Sequence, residues 1–335
     1  MKSVFKRIAR RFFWGVFVVW ATVSIAFLIQ SALPSDPARM VAGPQARPQD
    51  VERIRKQLGL DRPIYVQYTR FMTRLLHVST STDDSHATCR PLGPVHVDLG
   101  RSYQLRAPVV KILEERLPRS VFLGFAAVFM QGLLGILAGS IAAARKKQAL
   151  DRLTVVLTLF GVSVPTFVTG LVLQWIFAYR LHLLPLDGYG TTLSEHLVSV
   201  VLPAMTLGVF GAAYYTRMVR DEMIIELGRD YIRTARAKGL SACAVLLRHA
   251  LRNALMPIVT ILGLEVGTLV GGALVTEALF RWPGLGALSV EATLNRDGPL
   301  LMGCVIVTSA AVVVSSIVVD VAYLVLDPRV RAQTH

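Results

Sequence analysis

The stretch Tyr231–Pro257, YIRTARAKGLSACAVLLRHALRNALMP, decides how this chain is read. It is a basic run between two long apolar segments, punctuated like a helix–turn–helix. Asp230 is placed to cap a first short helix and Gly239 to end it; Ser241 is placed to cap a second, which Pro257 closes. So many arginines do not rest in hydrocarbon and are exported poorly, so the stretch is expected in a cytoplasmic loop, residues 217–256, of a membrane protein.

The rest of the chain fits that setting. Its 335 residues are 53% hydrophobic with only 17% charged, more apolar than an ordinary soluble domain. The mean hydropathy is +0.52. Runs near 12–33, 120–144, 153–178, 197–216, 257–280 and 300–326 are each long enough to cross a bilayer as a helix, which takes about 20 residues. Lys2, Lys6, Arg7, Arg10 and Arg11 precede the first run, as in a signal peptide. That run exceeds the usual signal core of about 7–15 residues, so it reads as a retained anchor. The expected class is therefore all-α and integral to the membrane, with six transmembrane helices.

A net charge of +14 is compatible with nucleic-acid binding, but the charges are distributed as in a membrane topology. The N-terminus, Arg145-Lys-Lys147 with Arg152, the 217–252 loop, and Arg329 with Arg331 fall on one side; the short loops opposite hold Arg180, Arg281 and Arg296. The positive-inside rule puts both termini in the cytoplasm, and a charge spread accounted for by topology leads to the expectation of no nucleic-acid partner. This divides the chain into a first segment 1–33, an extracytoplasmic domain 34–119, a five-helix core 120–326 and a cytoplasmic tail 327–335.

Within 34–119, Leu33-Pro-Ser-Asp-Pro37 is a helix stop. Asp50 is placed to cap a helix that Gly59 ends, and Asp61 with Pro63 begins another. That helix carries Ile64, Tyr68, Phe71, Met72, Leu75 and Leu76 at helical spacing, a stripe for the membrane surface, a neighbouring subunit or its own domain. Residues 77–97 form a polar insertion expected to be mobile. Cys89, Cys243 and Cys304 fall outside, inside and within the membrane, a distribution with no metal spacing and no pairing among them.

No phosphate cradle occurs, because Gly is nowhere followed by Lys, and G-x-S-x-G, H-E-x-x-H and C-x-x-C are also missing. The chain is expected not to be an enzyme, and to bind no metal or cofactor. Acids inside the apolar runs are the remaining chemistry. Glu265 lies in the fifth run, Glu277 near its outer end and Asp320 near the inner end of the sixth. Charge at mid-bilayer is costly, so such groups face a cavity or a partner. Two readings stand for Glu277: a ligand for a peptide's amino terminus, or a structural acid beside Trp282–Gly286. Gln131 and Gln174 suit a polar pathway or interhelical hydrogen bonds. Pro165 and Pro203 are expected to break the ladders of the third and fourth spans.

The wording of these segments carries a resemblance. Arg233-Thr-Ala-Arg-Ala-Lys-Gly239 followed by Arg248-His-Ala-Leu-Arg-Asn-Ala-Leu-Met-Pro257 resembles the loop by which membrane subunits of bacterial ATP-binding-cassette importers contact their ATPases. It is closest to the peptide and nickel branch, with Arg233 at a position that is Glu in the general pattern. Leu58-Gly-Leu-Asp-Arg-Pro63, Asp98-Leu-Gly-Arg-Ser-Tyr103, Arg116-Leu-Pro-Arg-Ser120, Val275-Thr-Glu-Ala-Leu-Phe280, Trp282-Pro-Gly-Leu-Gly286 and Leu326-Asp-Pro-Arg329 extend it over nearly the whole chain. The resemblance implies a type I importer permease of the bacterial plasma membrane. It also implies a second homologous permease, two ATPase subunits that use the ATP, an extracytoplasmic binding protein and surrounding lipid as partners. The implied substrates are di- or oligopeptides, with nickel chelates or glutathione as alternatives. Tyr231, Arg233, Thr234, Ala235, Arg236, Ala237, Lys238, Gly239 and Arg248 are then the expected docking residues, and Glu265, Glu277 and Gln174 the pathway candidates. A proton-coupled secondary transporter using Glu265 and Asp320 is the rival of another class, but it accounts for neither the loop nor the lack of an inverted repeat.

Overall fold

The computed structural model describes residues 2–32, 37–43, 45–78, 88–92 and 95–326. The described chain is almost entirely helical. In order come α1 (Lys2–Ala32), α2 (Pro37–Ala42), α3 (Pro48–Leu58) and α4 (Ile64–Leu75), then three short strands, then α5 (Val109–Ala144) and α6 (Ala149–Ser163). The helix α7 (Thr166–Leu173) continues as a π-helical turn, Gln174–Arg180. After α8 (Leu193–Ser199), α9 (Val201–Leu227) and α10 (Asp230–Ala237), α11 (Ala242–Ala244) runs through a π-turn, Val245–Leu251, into α12 (Arg252–Val270). The chain closes with α13 (Leu274–Leu279), α14 (Leu285–Leu294) and α15 (Gly298–Leu326).

Among the described residues, five helices are long and apolar enough to span a bilayer: Ala9–Ala32, Val109–Ala144, Leu193–Leu227, Ala242–Val270 and Gly298–Val321. A sixth span exists if the pair Ala149–Ser163 and Thr166–Arg180 is counted as one, although it is bent by 105°. The third span, read over 153–178, is thus broken where Pro165 was expected to break it. The cause is local. Pro165 offers no N–H, and Val164 before it is pushed into extended backbone at ψ 125°.

Pro203 does break the ladder of the fourth span as expected: it has no N–H for the Ser199 carbonyl, and the span Leu193–Leu227 is divided at Val200 into α8 and α9. Two expectations about helix ends change. Pro257 does not close a helix; it lies inside α12, so the helix that carries the fifth span runs unbroken from Ala242 to Val270, where Gly271 and Gly272 (φ +117°) turn the chain. Asp50 is not the cap of α3. Arg47 takes that place in extended backbone, followed by Pro48, and Asp50 stands in the first turn. Gly59 does end α3, at φ +69°.

Two compact units are distinguished: Met1–Arg119 with Gly284–Val313, and Ser120–Pro283 with Val314–His335. In the first, the apolar stripe of α4 packs on α1. Tyr68 and Phe71 each lie with ring centroids 5.5 Å from Phe27, and the Tyr68 hydroxyl is 2.7 Å from Ser24 Oγ. The flanks of the polar insertion form a small antiparallel sheet, β1 (Leu76–Val78), β2 (Cys89–Leu92) and β3 (Val95–Asp98), in the order β1-β3-β2 with Leu76 opposite Val97 and Cys89 opposite Asp98. Its remaining part, 79–87 and 93–94, lies outside the described residues, as does the tail 327–335. Val109, Leu113, Leu285, Leu288, Leu300 and Cys304 make this unit's core. Buried Asp297 starts α15 by accepting from Leu300 N at 3.3 Å, and pins the 102–104 loop through Ser102 Oγ at 2.5 Å and Gln104 N at 3.1 Å.

In the second unit α9 is the central helix, lying against α6, α7 and α12. The α5 sequence Gly135-Ile-Leu-Ala-Gly139 brings it close to α9: a Cβ at Gly135 would stand 2.5 Å from Tyr215 Cβ, and one at Gly139 2.6 Å from the Thr216 carbonyl oxygen. This is small-residue packing suited to lipid, where apolar burial alone drives little association. Arg220 locks the same helix to α6 through a two-point ion pair with Asp151, Nε to Oδ1 at 2.5 Å and Nη2 to Oδ2 at 3.0 Å.

Gly139→Val is expected to lower unfolding stability in detergent by about 3 kcal/mol, the upper part of the overpacking range, because the obstacle is backbone. Gly228→Ala, where a Cβ meets nothing closer than 3.4 Å, should change it by less than about 0.5 kcal/mol. Equal effects in thermal or denaturant unfolding would refute the close-approach account.

Candidate functional site

The basic stretch folds as two short helical pieces between α9 and α12. α10 presents one face inward and packs on the Val245–Leu251 turn, with Ile232 and Ala235 in one buried cluster with Tyr215, Val219, Met223, Val245, Ala250, Ala254 and Ile258. Asp230 is not its cap. Arg229 holds that position at ψ 153°, and Asp230 stands in the first turn, beside Arg233 at 3.4 Å, where its charge favours the helix N-terminus. The helix stops as expected at Gly239, whose φ of +80° lets Gly239 N and Leu240 N return to the Arg236 and Ala235 carbonyls at 2.9 and 3.3 Å. Ser241 then caps the next piece, its Oγ accepting from Ala244 N at 3.3 Å.

The expected docking residues divide into two sets. Arg233, Thr234, Arg236, Ala237, Lys238, Gly239 and Arg248 are exposed, joined by Leu240 and Leu247, which sequence reading did not select. Ala235 is corrected: it is buried, so its small size serves the α10 packing and not an approaching surface. Tyr231 is partly exposed, but its hydroxyl is used within the chain. It donates to Glu226 at 2.6 Å and accepts from Asn253 Nδ2 at 2.9 Å, while Arg229 Nε donates to the other Glu226 oxygen at 2.9 Å. Burial, then the Glu226 carboxylate, raises the Tyr231 pKa above that of a free tyrosine, so the phenol keeps its proton. Glu226, Arg229 and Asn253 were not foreseen. Asn253 is 22 residues from Tyr231, and no helical period links the two across a turn.

Gly239 has nothing within 4 Å of a Cβ position. Its identity is therefore required by backbone conformation, and the space above it is open on this chain. The face around it combines cations, small residues and two exposed leucines on a base fixed to two spans.

The pathway candidates do not converge on one site. Glu265 lies in α12, half-buried, and receives the Tyr215 hydroxyl. Glu277 is not on the fifth span but on α13; it is fully buried and accepts from Ser120 Oγ at 3.1 Å. Gln174 is buried and donates from Nε2 to the Leu186 carbonyl at 2.9 Å. Gln131 is buried as well, its amide filling the space a Cβ on Gly211 would need.

Residues 135–332 match the family model described as binding-protein-dependent transport system inner membrane component, and residues 4–124 match the model of its membrane component N-terminus. The chain belongs to this family of ABC importer permeases. It is 36% identical to the probable D,D-dipeptide transport system permease protein DdpB of Escherichia coli, covering 97% of this chain and 98% of that one. It is 37% identical to a putative peptide transport system permease protein of Brucella abortus, covering 98% of each. With the glutathione transport system permease protein GsiC of Escherichia coli it shares 36%, over 92% of each chain. The permease is a multi-pass membrane protein, of a kind that transports and does not itself catalyse, in a system with ATPase and binding-protein components.

Tyr231→Phe removes two hydrogen bonds from the clamp on α9 and α12. At about 0.5–1.5 kcal/mol each, it should raise amide exchange across 230–253 roughly tenfold while leaving α5 protection unchanged. Unaltered exchange in that segment would show that the clamp does not hold it.

Proposed function

We propose that the chain is the permease subunit of an ATP-driven importer that translocates di- or oligopeptides delivered by an extracytoplasmic binding protein. The observation that carries this reading is the exposed face Arg233, Arg236, Lys238, Gly239 and Arg248, held by the Tyr231 clamp on α9 and α12. Three or more cations there suit carboxylates on an ATPase and fix its register. Gly239 and Ala237 let a partner's groove come close. Rigid attachment to two spans lets closure of the ATPases turn those spans as a unit.

In this reading the assembly holds a second homologous permease and two ATP-binding-cassette subunits, which use the ATP. It lies in the bacterial plasma membrane with both termini cytoplasmic, as the positive-inside rule favours. Peptide substrates are supported by the dipeptide and peptide names of the relatives. Glutathione is the second reading, supported by the name of a relative of equal identity. Glu265 and Glu277 serve in either case as acids that brace helices, since each is committed to a hydroxyl partner within the chain.

Affinity capture of the tagged chain from its native membrane in mild detergent tests the reading. A second permease and P-loop ATPases should co-purify. Gly239→Trp should lower ATPase recovery by about tenfold, which is ~1.4 kcal/mol of binding. Gly239→Asn, a residue that tolerates left-handed backbone, should retain it. Recovery of the chain alone, with uptake surviving ATP depletion, would sink the importer mechanism.

A further inference from the structure

A cavity of about 1390 Å³ opens in the unit formed by Met1–Arg119 and Gly284–Val313. Six arginines line it: Arg55 of α3, Arg70 and Arg74 of α4, Arg101 and Arg106 of the loop after β3, and Arg296 just before α15. Among the described lining residues Asp98 is the one carboxylate, and Arg74 Nε already takes it at 2.6 Å. Arg55 pairs with Glu52 at 3.1 Å, and Arg101 Nε donates to the Arg106 carbonyl at 2.6 Å. Arg70, Arg106 and Arg296 have no ion-pair partner among the described residues.

The backbone of the cavity wall carries unusual conformations beside these arginines. Gly59, at φ +69°, leaves the space beside Arg70 Nη1, which stands 2.9 Å from where a Cβ would be. Arg106 and Arg296 both take positive φ, 50° and 52°, a conformation side chains rarely adopt. Like charges gathered in this way are stable when an anion lies among them, and arginine forks match phosphate oxygens two at a time.

The other lining residues identify which anion. Phe27, Gln30 and Ser31 come from the last turns of α1, whose apolar span ends at Ala32, so this end of the cavity lies at a boundary between hydrocarbon and water. Phe71 and Met302 add apolar wall next to the cations. A lining that combines apolar side chains from the end of a span with arginines suits a molecule with a fatty glycerol end and an anionic head. A volume of about 1390 Å³ also exceeds what a lone ion fills. We propose that this cavity binds the phosphate headgroup of an anionic phospholipid, with Arg70, Arg106 and Arg296 as its ligands. The assignment requires only that α1 spans the bilayer and does not depend on the substrate or the ATPases.

The full chain, purified in a nonionic detergent, should be offered phosphatidylglycerol and phosphatidylcholine of the same acyl length and examined by native mass spectrometry. Phosphatidylglycerol should be retained at least about tenfold more than phosphatidylcholine. Combined Arg70→Gln, Arg106→Gln and Arg296→Gln should bring the two lipids level without moving the thermal unfolding midpoint. Equal retention of the two lipids by the wild-type chain would overturn the proposal, and that comparison needs no variant to fold. So would unchanged selectivity in the triple variant, or displacement of phosphatidylglycerol by equimolar inorganic phosphate, which would put a free anion in the cavity.

Discussion

The approach of α5 to α9 is the contact on which the permease core depends. Lipid offers helices no hydrophobic reason to associate, so they are held by shape and by the polar groups they hide. Gly135 and Gly139 supply the shape, letting the α9 backbone at Tyr215 and Thr216 come against α5 where side chains would stand. Once α9 is seated, its other faces become usable. Tyr215 reaches Glu265 on α12, Arg220 reaches Asp151 on α6, and Val219 and Met223 join the buried cluster that also takes in Ile232 and Ala235 of α10. Each polar link satisfies a group that would be costly alone in the membrane, and each is drawn to α9.

The Arg-rich loop is an extension of that helix more than a free connection. Ile232 and Ala235 continue the α9 core outward, and Glu226, at the last turn of α9, receives both Arg229 and Tyr231. Asn253 brings in the first turn of α12. A force on the exposed side of α10 therefore meets two spans at once. Tyr231 matters for this because its neutral phenol donates to Glu226 and accepts from Asn253 at once; burial and that carboxylate raise its pKa.

What could be read in advance was whatever depends on local backbone chemistry. Gly59 and Gly239 end helices because left-handed backbone belongs to glycine, and Ser241 caps because its oxygen reaches three residues on. The failures have equally local causes or none. Arg47, standing before Pro48, was readable as extended and displaced Asp50 from the cap. Arg229 displaced Asp230 with no such signal. The bend at Pro165 was legible as a break but not as 105°, because its size is set by what α6 and α7 pack on. Tyr215 with Glu265, 50 residues apart, and Tyr231 with Asn253, 22 apart, leave no period in the sequence at all.

The same limit explains why the cations were read too uniformly. A count of Lys and Arg gives topology, since every cation resists transfer through the membrane alike. It does not say how each is employed afterwards. Arg220 sits in the cationic stretch that begins at 217, yet it is spent on Asp151 inside the core. Arg233 and Arg236 stay exposed on the face of α10. The arginines of 34–119 carry no topological information, because long loops cross regardless of charge, yet several of them gather in one cavity. Their chemistry is identical; what separates them is burial, since Arg220 is largely buried with Asp151 while Arg233, beside Asp230, stays in the open, and that is fixed by the fold and not by the count.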